Sequence, residues 1–132
     1  SFLKINRPKY DDSWQRWNKT LEMLADLDTR TVLRVTLIKD WNDSEEMISG
    51  FKSIFEKSNA HFIELKSYMH IGRSTNRLEY ENMVEMNDVR KFSERIVEKS
   101  DRFEVMDESE VSRIVVLQNK KRFTERYLTA YA

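Results

Sequence analysis

His61-Phe-Ile-Glu-Leu-Lys-Ser-Tyr-Met-His-Ile-Gly-Arg-Ser74 begins as a strand and ends as a glycine-containing loop. Phe62, Glu64 and Lys66 alternate with Ile63, Leu65 and Ser67, so one face is apolar while the other carries opposite charges. The flanking segments read as helices, and strands between helices belong to parallel sheets covered on both faces. A Glu and a Lys on the same side of such a strand call for a lined cavity.

Working outward, Thr31–Ile38 (TVLRVTLI) is rich in β-branched residues and predicts a second strand. Arg34 and Thr36 share one of its faces. Upstream, Trp14, Trp17, Leu21, Leu24 and Leu27 fall at helical spacing, which predicts a helix to about Asp28. Between the strands, Lys39–Asp43 forms a loop and Ser44–Ser58 a helix. Gly50 lies inside that helix and suggests close packing against a neighbour.

Downstream, Met69–Tyr80 is a loop in which Gly72 permits positive φ. Glu85–Lys99 predicts a third helix, Asp101–Met106 a short strand and Asp107–Glu110 an acidic loop. Val111–Gln118 is a firmer strand, and Lys120–Ala132 a docked terminal helix. The order is α-β-α-β-α-β-β-α, an α/β arrangement whose strands are expected to be parallel and helix-covered.

Charged residues make up 35% of the 132-residue chain and balance at 23 of each sign, so no global field selects nucleic acid or membrane. There is no long apolar run and no signal-peptide pattern, which predicts a soluble cytoplasmic protein without a membrane partner. The absence of cysteine excludes disulfides and thiolate-held metal within this chain. The opening at Ser1 suggests a fragment of a longer protein.

Arg34, Thr36, Glu64 and Lys66 form a polar set at neighbouring positions. They are either an internal ion-pair network or the lining of a ligand site at the strands' C-terminal ends, where such sheets place their chemistry. Lys39, Asn42, Tyr68, Met69 and His70 sit at that end. Arg73, Ser74, Asn76 and Arg77 could hold a phosphate or form a solvated turn. His61 and His70 have no metal spacing, no metal ligands are assigned, and no phosphate loop, dinucleotide glycine pattern or nucleophile elbow is present.

Asn6-Arg7-Pro8, Arg30–Lys39, Phe62–Met69 and Asp107–Arg113, in that order and spacing, resemble the C-terminal part of archaeal radical-SAM tRNA 4-demethylwyosine synthases. The resemblance runs from about Phe2 to Gln118. It implies the end of a partial (β/α)6 barrel of TIM type, with residues 1–80 giving its last strands and helices and 81–132 a C-terminal wybutosine-formation segment. It also implies S-adenosylmethionine and a [4Fe–4S] cluster as cofactors, the cluster held by cysteines outside this chain. The implied partners are pyruvate, tRNA-Phe carrying N1-methylguanosine at position 37, and the missing N-terminal part of the barrel.

By position, the resemblance puts Arg34, Thr36, Lys39 and Asn42 at the cofactor. It puts Glu64, Lys66, Tyr68, Met69, Arg73, Ser74 and Arg77 at the substrate, and gives no catalytic residue. Arg73 departs from a Gly-Tyr-Ser-type loop, and Val84 stands where the family has Pro. Without cysteine the chain alone is expected to be inactive. A split-enzyme half, a non-catalytic tRNA-binding module and an unrelated protein-interaction domain are the alternatives.

Overall fold

The computed structural model describes Asn6 and residues 9–122. Helix α1 spans Ser13–Leu24, strand β1 Val32–Leu37, helix α2 Met47–Ser58 and strand β2 Phe62–Ser67. Short 3-10 turns follow at Gly72–Asn76 and Tyr80–Asn82. Helix α3 is Met86–Lys99, and strands β3 (Phe103–Ser109) and β4 (Ile114–Asn119) close the described chain. The expected helix at Lys120–Ala132 and most of Asn6-Arg7-Pro8 lie outside the described residues.

The four strands form one sheet in the order β1-β2-β4-β3. β1 and β2 are parallel, as expected of strands joined through a helix, with Arg34 opposite Glu64 and Thr36 opposite Lys66. The expectation of an all-parallel sheet fails at β4, while β3 runs in the direction of β1 and β2 but pairs with neither. β4 runs antiparallel to both β2 and β3, because only a short turn joins β3 to β4. Asp107–Glu110, expected as a loop, is mostly strand: β3 runs through Ser109, with an irregularity between Val105 and Asp107. Being an edge strand, β3 can carry acidic side chains into solvent. Glu108 is met there by both sides of the Arg90 guanidinium, at 2.9 and 3.1 Å.

Alternation along the strands decides the core. Leu37, Ile63, Leu65, Val115 and Leu117 turn to one face and pack with Ile48 and Phe55 of α2 and Val89, Phe92 and Ile96 of α3. Phe55 meets Phe103 edge-on at 6.2 Å, and Phe51 meets Phe92 at 5.8 Å. Helix α2 ends at Asn59, whose φ of 46° is left-handed. Gly50 does not make the expected close packing, since a Cβ there would meet nothing within 4 Å. Helix α1 is shorter than expected and stops at Leu24, leaving Leu27 exposed.

The expectation of helices on both faces also fails among the described residues. Both core helices pack on the Ile63/Leu65 face. The opposite face carries Val32, Arg34 and Thr36 exposed, and Glu64, Lys66, Ile114, Val116 and Gln118 half-buried. Phe62, on the same face, is buried.

Candidate functional site on the open sheet face

Three cross-strand rows make up this face. Glu104, Gln118, Phe62 and Val32 form the first, and Asp107, Val116, Glu64 and Arg34 the second. Ser109, Ile114, Lys66 and Thr36 form the third. Arg34 Nε donates to Glu64 Oε2 at 3.1 Å, with the Arg side chain 65% exposed and the Glu only 18%. Gln118 Nε2 donates to Glu104 at 2.5 Å. The lattice therefore brings Arg34, Thr36, Glu64 and Lys66 together as the alternation requires.

At the C-terminal ends of β1 and β2 the loops are tied to one another. The Asn42 amide is buried; its Oδ1 accepts Ile38 N–H at 2.7 Å and its Nδ2 donates to the Thr36 carbonyl at 3.0 Å. Both ends of that amide thus hold the turn after β1. Asp40 takes a φ of 69° there, and Asp43 Oδ1 accepts its N–H at 2.9 Å.

Lys39 is exposed at the rim. Its N–H donates to the Asn82 carbonyl at 2.8 Å, and Asn82 Nδ2 donates back to the Lys39 carbonyl at 2.9 Å. Ser67, fully buried, accepts Val84 N–H at 2.8 Å and donates to the Tyr68 carbonyl at 2.9 Å. These bonds hang the Tyr80–Asn82 turn over the ends of both parallel strands.

Tyr68 is buried, and its hydroxyl lies 2.8 Å from His70 Nδ1 and 3.1 Å from Ser74 Oγ. Ser74 Oγ–H donates to the Ile71 carbonyl at 2.6 Å. Met69, Arg73 and Arg77 are exposed around this group, with Gly72 at φ 64° giving the chain its left-handed turn. Tyr68 and Ser74 are brought into contact; Arg73, Arg77 and Met69 form the rim. The sequence places His70 at this end of the strands without giving it a role, and it gives Tyr80 none. An aromatic at each end of a polar loop was the signal that could have found them.

A cleft of about 340 Å³ opens beside β1, lined by Trp14, Trp17, Arg34, Thr36, Asn42 and Phe51 among others. The two indoles stack at 5.4 Å. Among the described residues no cluster of three or more His, Asp or Glu could hold a metal ion, and no helix is long and apolar enough to cross a membrane.

This arrangement has relatives. The wyosine base formation family matches residues 57–119. The chain is 39% identical over 109 residues to the S-adenosyl-L-methionine-dependent tRNA 4-demethylwyosine synthase of Methanocaldococcus jannaschii, a match covering 83% of this chain and 33% of that one. The Pyrococcus abyssi enzyme of the same name is 37% identical over 117 residues, covering 89% and 34%. A solved structure of TYW1 with a lysine–pyruvate adduct bound superimposes with a TM-score of 0.75 at 36% identity, over 86% of this chain and 35% of that one. The chain thus spans about a third of the length of these relatives. It carries a wyosine base formation segment at residues 57–119, and most of its length is related to proteins named tRNA 4-demethylwyosine synthase.

Proposed function

We propose that this chain serves wyosine base formation on tRNA as the C-terminal third of an S-adenosylmethionine-dependent 4-demethylwyosine synthase. The substrate would be tRNA-Phe carrying N1-methylguanosine at position 37, with pyruvate as the carbon donor. The supporting observation is the polar lattice of Arg34, Thr36, Glu64 and Lys66. It lies on a sheet face that no described helix covers, from the middle toward the C-terminal ends of two parallel strands. In the proposed reading β1 and β2 are the last strands of a partial (β/α)6 barrel, and that face is its lumen. Residues 1–80 would supply those strands and 81–132 the wybutosine-formation segment.

The residues present do not fit the iron–sulfur cluster of the family, because the chain holds no cysteine. The donor set does suit a charged, hydroxyl-rich cofactor such as S-adenosylmethionine: Arg34 and Thr36 project from β1, and Lys39 stands at the rim. When bound, that cofactor supplies the adenosyl chemistry, and this chain's residues hold and orient. Arg34, steadied by Glu64, keeps guanidinium N–H groups to direct at a carboxylate. Asn42 would act indirectly, by fixing the turn that carries Lys39. Lys66, half-buried between Thr36 and Ile114, is placed to fix an anionic substrate group. Tyr68, Met69, Arg73, Ser74 and Arg77 would meet the RNA at the mouth.

The complete reading frame of the gene tests this. Its expression should yield an upstream three-cysteine motif and 4-demethylwyosine in tRNA digests read by mass spectrometry. Lys66→Ala should lower product at least about 10-fold with an unchanged melting temperature. Full activity in Lys66→Ala with a lowered melting temperature would make Lys66 a structural member of the sheet face. An upstream frame without cysteines, together with unmodified tRNA, would favour a split enzyme or a non-catalytic tRNA-binding module instead.

A further inference from the structure

The loop at the mouth of β2 holds a stair of three rings, which extends outward from Tyr68 through His70 to Tyr80. Tyr68 meets His70 edge-on at 6.0 Å and 80°, and His70 meets Tyr80 at 6.2 Å and 82°. The stair is anchored at its buried end by the Tyr68 hydroxyl, between His70 Nδ1 and Ser74 Oγ. At its outer end Tyr80 is 64% exposed, and Ile71, next to His70 in the chain, is 72% exposed. An exposed tyrosine is ordinary; one held in a rigid turn is not. The Glu79 side chain and the Asn82 side chain cap the Tyr80–Asn82 turn reciprocally, and Asn82 also binds the Lys39 carbonyl. Tyr80 is therefore presented to solvent on a fixed backbone, at little ordering cost to a ligand.

We infer that Tyr80, backed by His70, is a stacking platform for an unpaired base of single-stranded RNA, with Arg73 on the same mouth meeting the phosphate backbone. This rests on the wyosine reading for the choice of RNA. The chemistry fits that partner: ring faces accept any base, and a guanidinium answers a phosphate. A base stacked on an aromatic gains about 1–3 kcal/mol, so losing the ring should weaken binding by roughly 5- to 150-fold. Glu81, exposed next to Tyr80, opposes phosphate and should weaken the same complex.

The test is fluorescence anisotropy with the 132-residue chain and two labelled RNAs. One is a hairpin with a seven-nucleotide loop and the other is a blunt duplex of equal length. The looped RNA should bind at least 10-fold tighter. Tyr80→Ala should erase that preference, Tyr80→Phe should keep it, and Glu81→Gln should tighten binding. Arg73→Ala should weaken both RNAs and flatten the salt dependence. Equal affinity of Tyr80→Ala and parent for the loop overturns the platform, as does parent binding that ignores the loop or is absent. Circular dichroism melts confirm that the variants fold. Because product formation by the complete reading frame is read separately, the platform can fail while the wyosine assignment stands.

Discussion

Replacing Asn42 with Ala removes a buried amide and nothing else of size. In the parent the Ile38 N–H, itself buried, has the Asn42 Oδ1 as acceptor at 2.7 Å, while Nδ2 serves the Thr36 carbonyl at 3.0 Å. Alanine leaves that N–H without a partner, which costs about 1–3 kcal/mol, and releases a second hydrogen bond of about 1 kcal/mol. The expected loss is about 2–4 kcal/mol, or a fall in Tm of roughly 8–15 °C for a domain of this size.

Asn42→Asp sharpens the test. Its ionised form still accepts from Ile38 but meets the Thr36 carbonyl with no proton to offer. The protonated acid restores both bonds. Burial and that carbonyl raise its folded pKa above the unfolded value of about 3.9, so the variant's deficit persists at neutral pH and shrinks as pH falls through the raised value. Urea and thermal melts followed by circular dichroism at pH 7 and pH 4 measure both effects. A melt of Asn42→Ala within about 0.5 kcal/mol of the parent would refute the staple. If that variant instead lost only affinity for S-adenosylmethionine, Asn42 would be a direct cofactor ligand.

Two further outcomes follow from the geometry. A double-mutant cycle of Arg34→Ala and Glu64→Ala should return a coupling of about 0.2–1 kcal/mol that vanishes in high salt, because the guanidinium is mostly in water. His61 is held below its ordinary pKa of 6.5, first by burial and then by Arg122 and Arg30. The folded state thus binds fewer protons than the unfolded chain, so stability should fall as pH drops from above 6.5 through the folded pKa. His61→Gln should flatten that slope in pH-dependent urea melts.

Much of this could be read from residue order. Period-two alternation in Thr31–Ile38 and His61–Ser67 placed both parallel strands and the faces of Arg34, Thr36, Glu64 and Lys66. What escaped was set by neighbours distant in sequence. Asp107-Glu108-Ser109 looks like solvent-exposed loop because strand interiors rarely hold acids. It is strand because β3 lies at the sheet's edge and Arg90, eighteen residues upstream, supplies the countercharge. Asn42 read as a polar group near a site, whereas its amide turns back on its own loop. The aromatic at Tyr80 is visible in the sequence, but its fixed place is not, because it depends on Asn82 reaching Lys39 across 43 residues.

The insertion of β4 between β2 and β3 also has a temporal consequence. The strand made last sits in the interior of the sheet, so β2 keeps one bare edge until residues 114–119 exist. During synthesis, a growing chain ending before Arg113 would leave β2 with an unpaired edge and β3 with nothing to pair. Closure of the sheet must wait for a contact between segments some fifty residues apart, and such late, long-range pairing is slow. The interval in which the apolar face of β2 is half-finished is when this protein is most exposed to aggregation, and when a holding chaperone would matter most.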